Sequence, residues 1–208
     1  MPILLAGCAS ASSAAEDAPG RASRHPDPSP ITFAVVGDSI TAWTSLEPGL
    51  SSWVGTARSA RVLLKGGWAV AGATTVDMLA GVDDVPDADV LVVMAGTNDI
   101  LGGATDASLA ATADRITEIV RETGIDRVVL SAVAPNDFRQ EGTEKLNDAL
   151  AALAARHGWT WFDPWMFVRE ADGGYVRGVS ADGIHPSRQV EMRVGTELRG
   201  VILDSGRD

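Results

Sequence analysis

Ile31-Thr32-Phe33-Ala34-Val35-Val36, running directly into Gly37-Asp38-Ser39-Ile40, is the stretch that decides how this chain folds. Its first six residues are a short apolar run with β-branched members, the pattern of a strand buried on both faces, typical of a parallel sheet. Similar runs follow at Trp68-Ala69-Val70, Val90–Ala95 and Val128–Val133, with a shorter fifth at Trp159–Phe162. Helical patterns lie between them. Ser108 to Glu122 places Leu109, Ile116, Ile119 and Val120 on one face, and Gly124 supplies a stop. Thr143 to His157 groups Leu146, Leu150 and Leu153 before Gly158, and Val190, Val194, Leu198, Val201 and Ile202 give the last helix a core stripe. Strand and helix alternate, which predicts an α/β domain with a mostly parallel five-stranded sheet and helices on both faces.

Working outward from that first strand, the residues that carry chemistry fall at corresponding places. Ser39, Gly72 (in Ala71-Gly72-Ala73-Thr74-Thr75) and Asn98 (in Gly96-Thr97-Asn98-Asp99) each follow a buried strand closely. All three are therefore expected at the carboxyl edge of the sheet, where open α/β sheets bind ligands. Asp182-Gly183-Ile184-His185-Pro186 lies on a loop before the final helix and must fold back over that edge. Ser39 can attack a carbonyl and His185 can take its proton. Asp182, three residues before the histidine, can hold the imidazole in the right tautomer and stabilise its charged form. The N–H groups of Ser39 and Gly72 and the side-chain amide of Asn98 can donate to an oxyanion. Ser39 is also expected to open a helix, whose first N–H groups favour developing negative charge.

Each motif alone is a weak signal, because Gly, Asn and Asp are ordinary turn residues. Four in one order are not. From Ile31 to about Ile202 the chain resembles the SGNH (GDSL-type) hydrolase superfamily, named for its Ser, Gly, Asn and His blocks. The resemblance implies a flavodoxin-like three-layer α/β/α sandwich and a serine carboxylester hydrolase that works through an acyl-enzyme and needs no cofactor. It implies Ser39, Asp182 and His185 as catalytic residues and Ser39, Gly72 and Asn98 as oxyanion donors. One departure is visible: the family commonly has an Asn shortly before the second-block Gly, and here Val70 and Ala71 occupy that stretch. Acyl transfer to a sugar hydroxyl shares the same chemistry up to the acyl-enzyme. A non-catalytic glycan-binding surface protein is the rival from another class, although it has no need of all four motifs. No long apolar lid insertion separates the motifs, which favours short acyl groups, with the O-acetyl groups of a glycan as one candidate substrate.

The other candidates weaken on inspection. Of three histidines, His25 lies in a Pro-rich stretch, and His157 ends a helix where a polar group suits the C-terminus, which leaves His185 as the base. Asp83, Asp84, Asp87 and Asp89 lack an EF-hand pattern and read as a solvated face, so no metal is expected. Trp159 and Trp161 read as core packing rather than a sugar platform, while Trp43, a few residues after Ser39, reads equally as packing or as the lining of an acyl or alcohol pocket. Asp38 and Asp99 are expected to orient the loops that carry them.

At 208 residues with one cysteine and a net charge of −11, the chain suits a single domain resting on its apolar core, with no intrachain disulfide. That acidity argues against a nucleic-acid partner. A monomer is favoured, acting on a small-molecule or glycan ester. Residues 31–208 form the expected hydrolase domain. Before it, residues 1–8 end in Leu5-Ala6-Gly7-Cys8, which resembles a bacterial lipobox on a truncated signal, and residues 9–30 are rich in Ala, Ser, Pro and Asp, like a flexible tether. No Lys or Arg precedes Cys8, so either the true start lies upstream or the match is accidental. On the first reading Cys8 carries a lipid anchor, and the protein is extracytoplasmic.

Overall fold

The computed structural model describes residues 29–42 and 52–207. Cys8, His25 and Trp43 lie outside them. Five parallel strands form one sheet in the order β2-β1-β3-β4-β5: β1 Ile31–Gly37, β2 Val62–Ala69, β3 Val90–Met94, β4 Val128–Ser131 and β5 Thr160–Phe162. This is the doubly wound, flavodoxin-like order, with β1 and β3 side by side where the winding reverses.

The pleat of β1 explains the three layers. Successive side chains point to opposite faces, so Phe33 and Val35 enter one core cluster while Ala34 and Val36 enter the other. The first cluster is closed by α1 (Ser39–Ala42), α2 (Trp53–Ala57) and α7 (Arg188–Ser205), through Ile40, Trp53, Val54, Val194 and Leu198. The second is closed by α3 (Thr75–Gly81), α5 (Asp106–Thr123) and α6 (Gln140–His157), through Met78, Ile116, Ile119, Leu146 and Leu150. Both faces of every central strand are covered, which is why those strands read as continuous apolar runs. The stops hold as well: Gly124 and Gly158 end α5 and α6 in the left-handed conformation, at φ +66° and +70°.

One expectation needs correction. The second strand is not confined to Trp68–Val70 but runs from Val62 to Ala69, with a register shift opposite Phe33/Ala34. It is an edge strand, largely half-buried or exposed, and its Lys65-Gly66-Gly67 centre reads as a break because glycine has low strand propensity. Gly67 serves a packing purpose there, since a Cβ at that position would run into the Val35 backbone. Ser39 opens a helix, as expected: α1 is described from Ser39 to Ala42.

Trp159 and Trp161 are half-buried against the core, as expected, and Trp159 stacks on His157 with ring centroids 4.5 Å apart. Trp165 is fully buried and donates to the Ala132 carbonyl at 2.9 Å. Among the described residues, no helix is long and apolar enough to cross a membrane.

Candidate active site

Ser39 sits where β1 turns sharply into α1. Gly37 makes the turn possible, because a Cβ there would collide with the Thr41 side chain. Asp38 points inward and accepts from the Ile40 N–H at 3.0 Å, which fixes the turn and leaves Ser39 aimed outward. Burial pushes the Asp38 carboxyl up to about 6, against the opposing pull of the Ile40 N–H, the Thr97 hydroxyl and the charge of His185.

The loop before α7 brings the histidine to the serine. Ser39 Oγ lies 2.8 Å from His185 Nε2, and His185 Nδ1 lies 2.7 Å from Asp182 Oδ2. Asp182 is itself held: its other oxygen accepts from the backbone N–H groups of Ile184 (3.0 Å) and His185 (2.8 Å) and from the Ser180 hydroxyl (3.1 Å). Desolvation raises its carboxyl, but hydrogen bonds from the His185 ring and from those backbone groups outweigh this and hold it below the usual carboxylate range. Its side chain remains 53% exposed, against 25% for His185.

Residues not singled out in the sequence anchor this loop. The Tyr175 hydroxyl donates to the Ile184 carbonyl at 3.0 Å. Asp137 takes the Tyr175 N–H at 2.8 Å and donates its own N–H to Gly183 at 2.9 Å. Gly183 adopts φ +75°, with Asp137 and Phe138 packed where a side chain would stand. Nothing in local spacing marks Asp137 or Tyr175 for this task.

The second and third motifs meet across the cleft. Asn98, in α4 (Thr97–Leu101), donates one amide hydrogen to the Ala73 carbonyl at 2.8 Å. Its Nδ2 carries a second hydrogen for another acceptor. Gly72 adopts φ +78°, and the space its Cβ would fill is open. Among the described residues, no protein group accepts from the N–H of Ser39 or of Gly72. Ser39, Gly72, Asn98 and His185 all line one cavity of about 410 Å³, completed by Ala71, Leu101 and Ile184. Its walls are apolar and its polar groups converge, the usual character of a small-molecule site. Asp99 does not line the cavity and ties loops together, as expected of it. Val70 and Ala71, at the point of departure from the family pattern, are exposed, and the loop closes on a bond from the Ala73 N–H to the Val70 carbonyl at 3.1 Å.

The sequence matches the GDSL-like lipase/acylhydrolase family over residues 35–190. The chain belongs to that family. It is therefore a hydrolase of the esterase class, and its substrate is a small-molecule ester. No curated protein sequence matches it. Solved structures show the same fold at low identity. A lipase/acylhydrolase from Enterococcus faecalis aligns with a TM-score of 0.68 at 21% identity, over 84% of this chain and 96% of that one. A lipolytic G-D-S-L family member from Veillonella parvula gives 0.65 at 21%, over 82% and 96%. A variant of an acetyl-xylooligosaccharide esterase from Geobacillus gives 0.66 at 16%, over 84% and 94%.

Within this GDSL-family site, among the described residues, no three His, Cys, Asp or Glu side chains converge as a metal site would require. Of the acidic cluster Asp83, Asp84, Asp87 and Asp89, the last two line a hollow at the opposite, amino edge of the sheet. Asp89 bonds the Thr32 N–H and hydroxyl at 2.7 and 2.6 Å.

Proposed function

We propose that the protein is a serine carboxylester hydrolase that removes small acyl groups through an acyl-enzyme. The observation that carries this reading is the continuous chain Ser39 Oγ–His185 Nε2, His185 Nδ1–Asp182 Oδ2, at 2.8 and 2.7 Å, opening on a cavity that also holds the Asn98 amide and the Gly72 backbone. His185 Nε2 takes the Ser39 proton as Oγ bonds to the ester carbonyl carbon. The carbonyl oxygen becomes an oxyanion, which accepts from the Ser39 and Gly72 N–H groups and from the second Asn98 amide hydrogen. Collapse breaks the bond to the alcohol oxygen, which leaves with the proton from Nε2. Water then attacks the acyl-enzyme by the same steps in reverse role, and Asp182 keeps Nδ1 protonated and stabilises the imidazolium throughout.

The cavity supports a short acyl group: among the described residues, Ala71, Leu101 and Ile184 offer apolar contact within about 410 Å³, and the sequence has no long apolar insertion between the motifs. The fold shared with an acetyl-xylooligosaccharide esterase supports O-acetylated glycan as a candidate substrate, with acetyl as the acyl group and a sugar hydroxyl as the alcohol side. The Leu5–Cys8 stretch and the Ala/Ser/Pro-rich residues after it support lipid anchoring at an extracytoplasmic surface, and fatty-acid labelling that disappears in Cys8→Ser is the test of that. For the activity, p-nitrophenyl esters from acetyl to palmitoyl should be turned over best at the short end. An optimum at palmitoyl contradicts the short-acyl reading, and accumulation of acylated sugar when an acceptor is added assigns transfer instead of hydrolysis.

A further inference from the structure

Next to the cleft, joined to it through Asn98 and Asp99, lies a group of polar side chains that the reaction does not use. Asp99 follows Asn98 in α4 but does not line the cavity, and its side chain is only 8% exposed. Its Oδ2 accepts from the Thr75 backbone N–H at 2.9 Å, and its Oδ1 from the Thr75 hydroxyl at 2.6 Å and the Thr112 hydroxyl at 3.2 Å. Arg115, from α5, closes the group: Nε donates to the Thr75 hydroxyl at 2.7 Å and a terminal nitrogen to Asp99 Oδ1 at 3.3 Å. Thr75 is fully buried.

We infer that Thr75, Asp99 and Arg115 are positioning residues that set the separation between the Gly72 N–H and the Asn98 amide, and so the fit of the cleft to the oxyanion. Asn98 and Asp99 are consecutive, and each grips the segment just after Gly72: Asn98 holds Ala73 and Asp99 holds Thr75. Backbone bonds from the Ala73 N–H to the Val70 carbonyl (3.1 Å) and from the Val70 N–H to the Gly37 carbonyl (3.3 Å) close the Gly72 loop on itself and onto β1, but among the described residues only Asn98 and Asp99 tie it to α4. Gly72 adopts a left-handed conformation with open space beside it, and its neighbours Val70 and Ala71 are exposed. Two adjacent cross-links, one of them backed by a guanidinium, add to the buried Ala73 in fixing where it stands relative to α4. A hydrogen bond to a buried charge is among the stronger kinds, so the grip on Thr75 is firm. The ground-state ester needs little from the oxyanion donors, whereas the tetrahedral oxyanion needs them within a fraction of an ångström. Loosening the group therefore lowers kcat and spares KM.

This rests on the proposed esterase reading. The test is Thr75→Val, which removes the hydroxyl at nearly constant shape, beside Thr75→Ser, which keeps it, each made in the wild type and in Asn98→Ala. Thr75→Val should lower kcat on p-nitrophenyl acetate about tenfold, with KM within about twofold, while Thr75→Ser stays near wild type. In the Asn98→Ala background the same change should cost about threefold or less, because one of the two donors it positions is already gone. Equal factors in both backgrounds, or a fall in melting temperature with kcat unchanged, overturn the inference. Should Thr75→Val fail to fold, Arg115→Met reads the same cycle. A wild-type protein with no Ser39-dependent hydrolysis refutes the esterase reading itself, an outcome distinct from an active enzyme indifferent to Thr75.

Discussion

The sheet carries a cavity at each of its two edges, and the larger one has the weaker claim to chemistry. At the amino edge a hollow of about 750 Å³ is lined by Thr32, Lys65, Asp87, Asp89 and Arg127 among others. At the carboxyl edge the Ser39 cavity is about 410 Å³. The difference lies in where the hydrogen bonds go. At the amino edge Asp89 and Thr32 satisfy one another: the carboxylate takes both the N–H and the hydroxyl of Thr32, and the Asp89 N–H returns to the Thr32 hydroxyl at 3.0 Å. The hydrogen bonds from Thr32 hold the Asp89 carboxyl below its ordinary value. That is a brace between strand ends. At the carboxyl edge the backbone donors of Ser39 and Gly72 meet no described protein acceptor, while Ser39, His185 and Asp182 form a directed relay. Unspent donors beside a nucleophile, rather than volume, mark the site.

The largest effect should come from cutting the relay. Ser39→Ala and His185→Ala should each lose nearly all turnover of a short p-nitrophenyl ester while the circular-dichroism spectrum and melting temperature stay near wild type. Asp182→Ala should be less severe, because its side chain is the more exposed member of the pair. Residual activity above one-tenth of wild type in His185→Ala would break the contrast between the two edges.

Next in size is the donor that can be removed by mutation. Asn98→Ala should lower kcat by roughly 10²–10³, the usual cost of one oxyanion donor, with a much smaller change in KM. If Asn98 only shaped its turn through the Ala73 bond, the melting temperature would fall and kcat would not.

The amino edge supplies the counterpart. Thr32→Val removes the hydroxyl that binds Asp89 and should lower stability by about 1 kcal/mol, visible as a few degrees in melting temperature. Turnover should not change. A Thr32→Val enzyme with altered kcat or KM would mean that the larger cavity takes part in catalysis after all.

The smallest effect is confined to pH. Glu191, on α7, is 3% exposed, its Oε1 has no hydrogen-bond partner among the described residues, and burial pushes its carboxyl up to about 8 from an ordinary 4.5. The folded state therefore binds a proton that the unfolded chain has released, and the stability held by the neutral acid is full below 4.5 and is lost as pH rises through about 8. Glu191→Gln should melt a few degrees above wild type at pH 9 and near it at pH 5, by differential scanning calorimetry. An equal shift at both pH values would show that ionisation of Glu191 is not the cause.

How much of this was legible in the sequence depends on how far apart the cooperating residues stand. The central strands were legible because a strand covered on both faces must be apolar throughout, as Val90–Met94 is. The edge strand was not, because Lys65-Gly66-Gly67 answers to one neighbouring strand and to solvent. Ser39, Gly72, Asn98, Asp182 and His185 were legible because each stands in a short motif directly beyond a strand or before a helix, and the structure brings them to one cleft, with Asp182 reached through His185. Their supports were not. Arg115 meets Thr75 across 40 positions and Asp137 meets Tyr175 across 38, with no periodicity to join them. Such pairs are set by the packing of α5 on α3 and by the path of a loop, which local patterns do not encode.

The central claim is that Ser39 is the nucleophile, activated by His185. Incubation with a fluorophosphonate followed by peptide mass spectrometry tests it most directly. The account predicts a single covalent adduct on Ser39, formed rapidly in the wild type, much more slowly in His185→Ala, and absent in Ser39→Ala. An adduct on any other serine, or labelling of Ser39 at the same rate without His185, would contradict it.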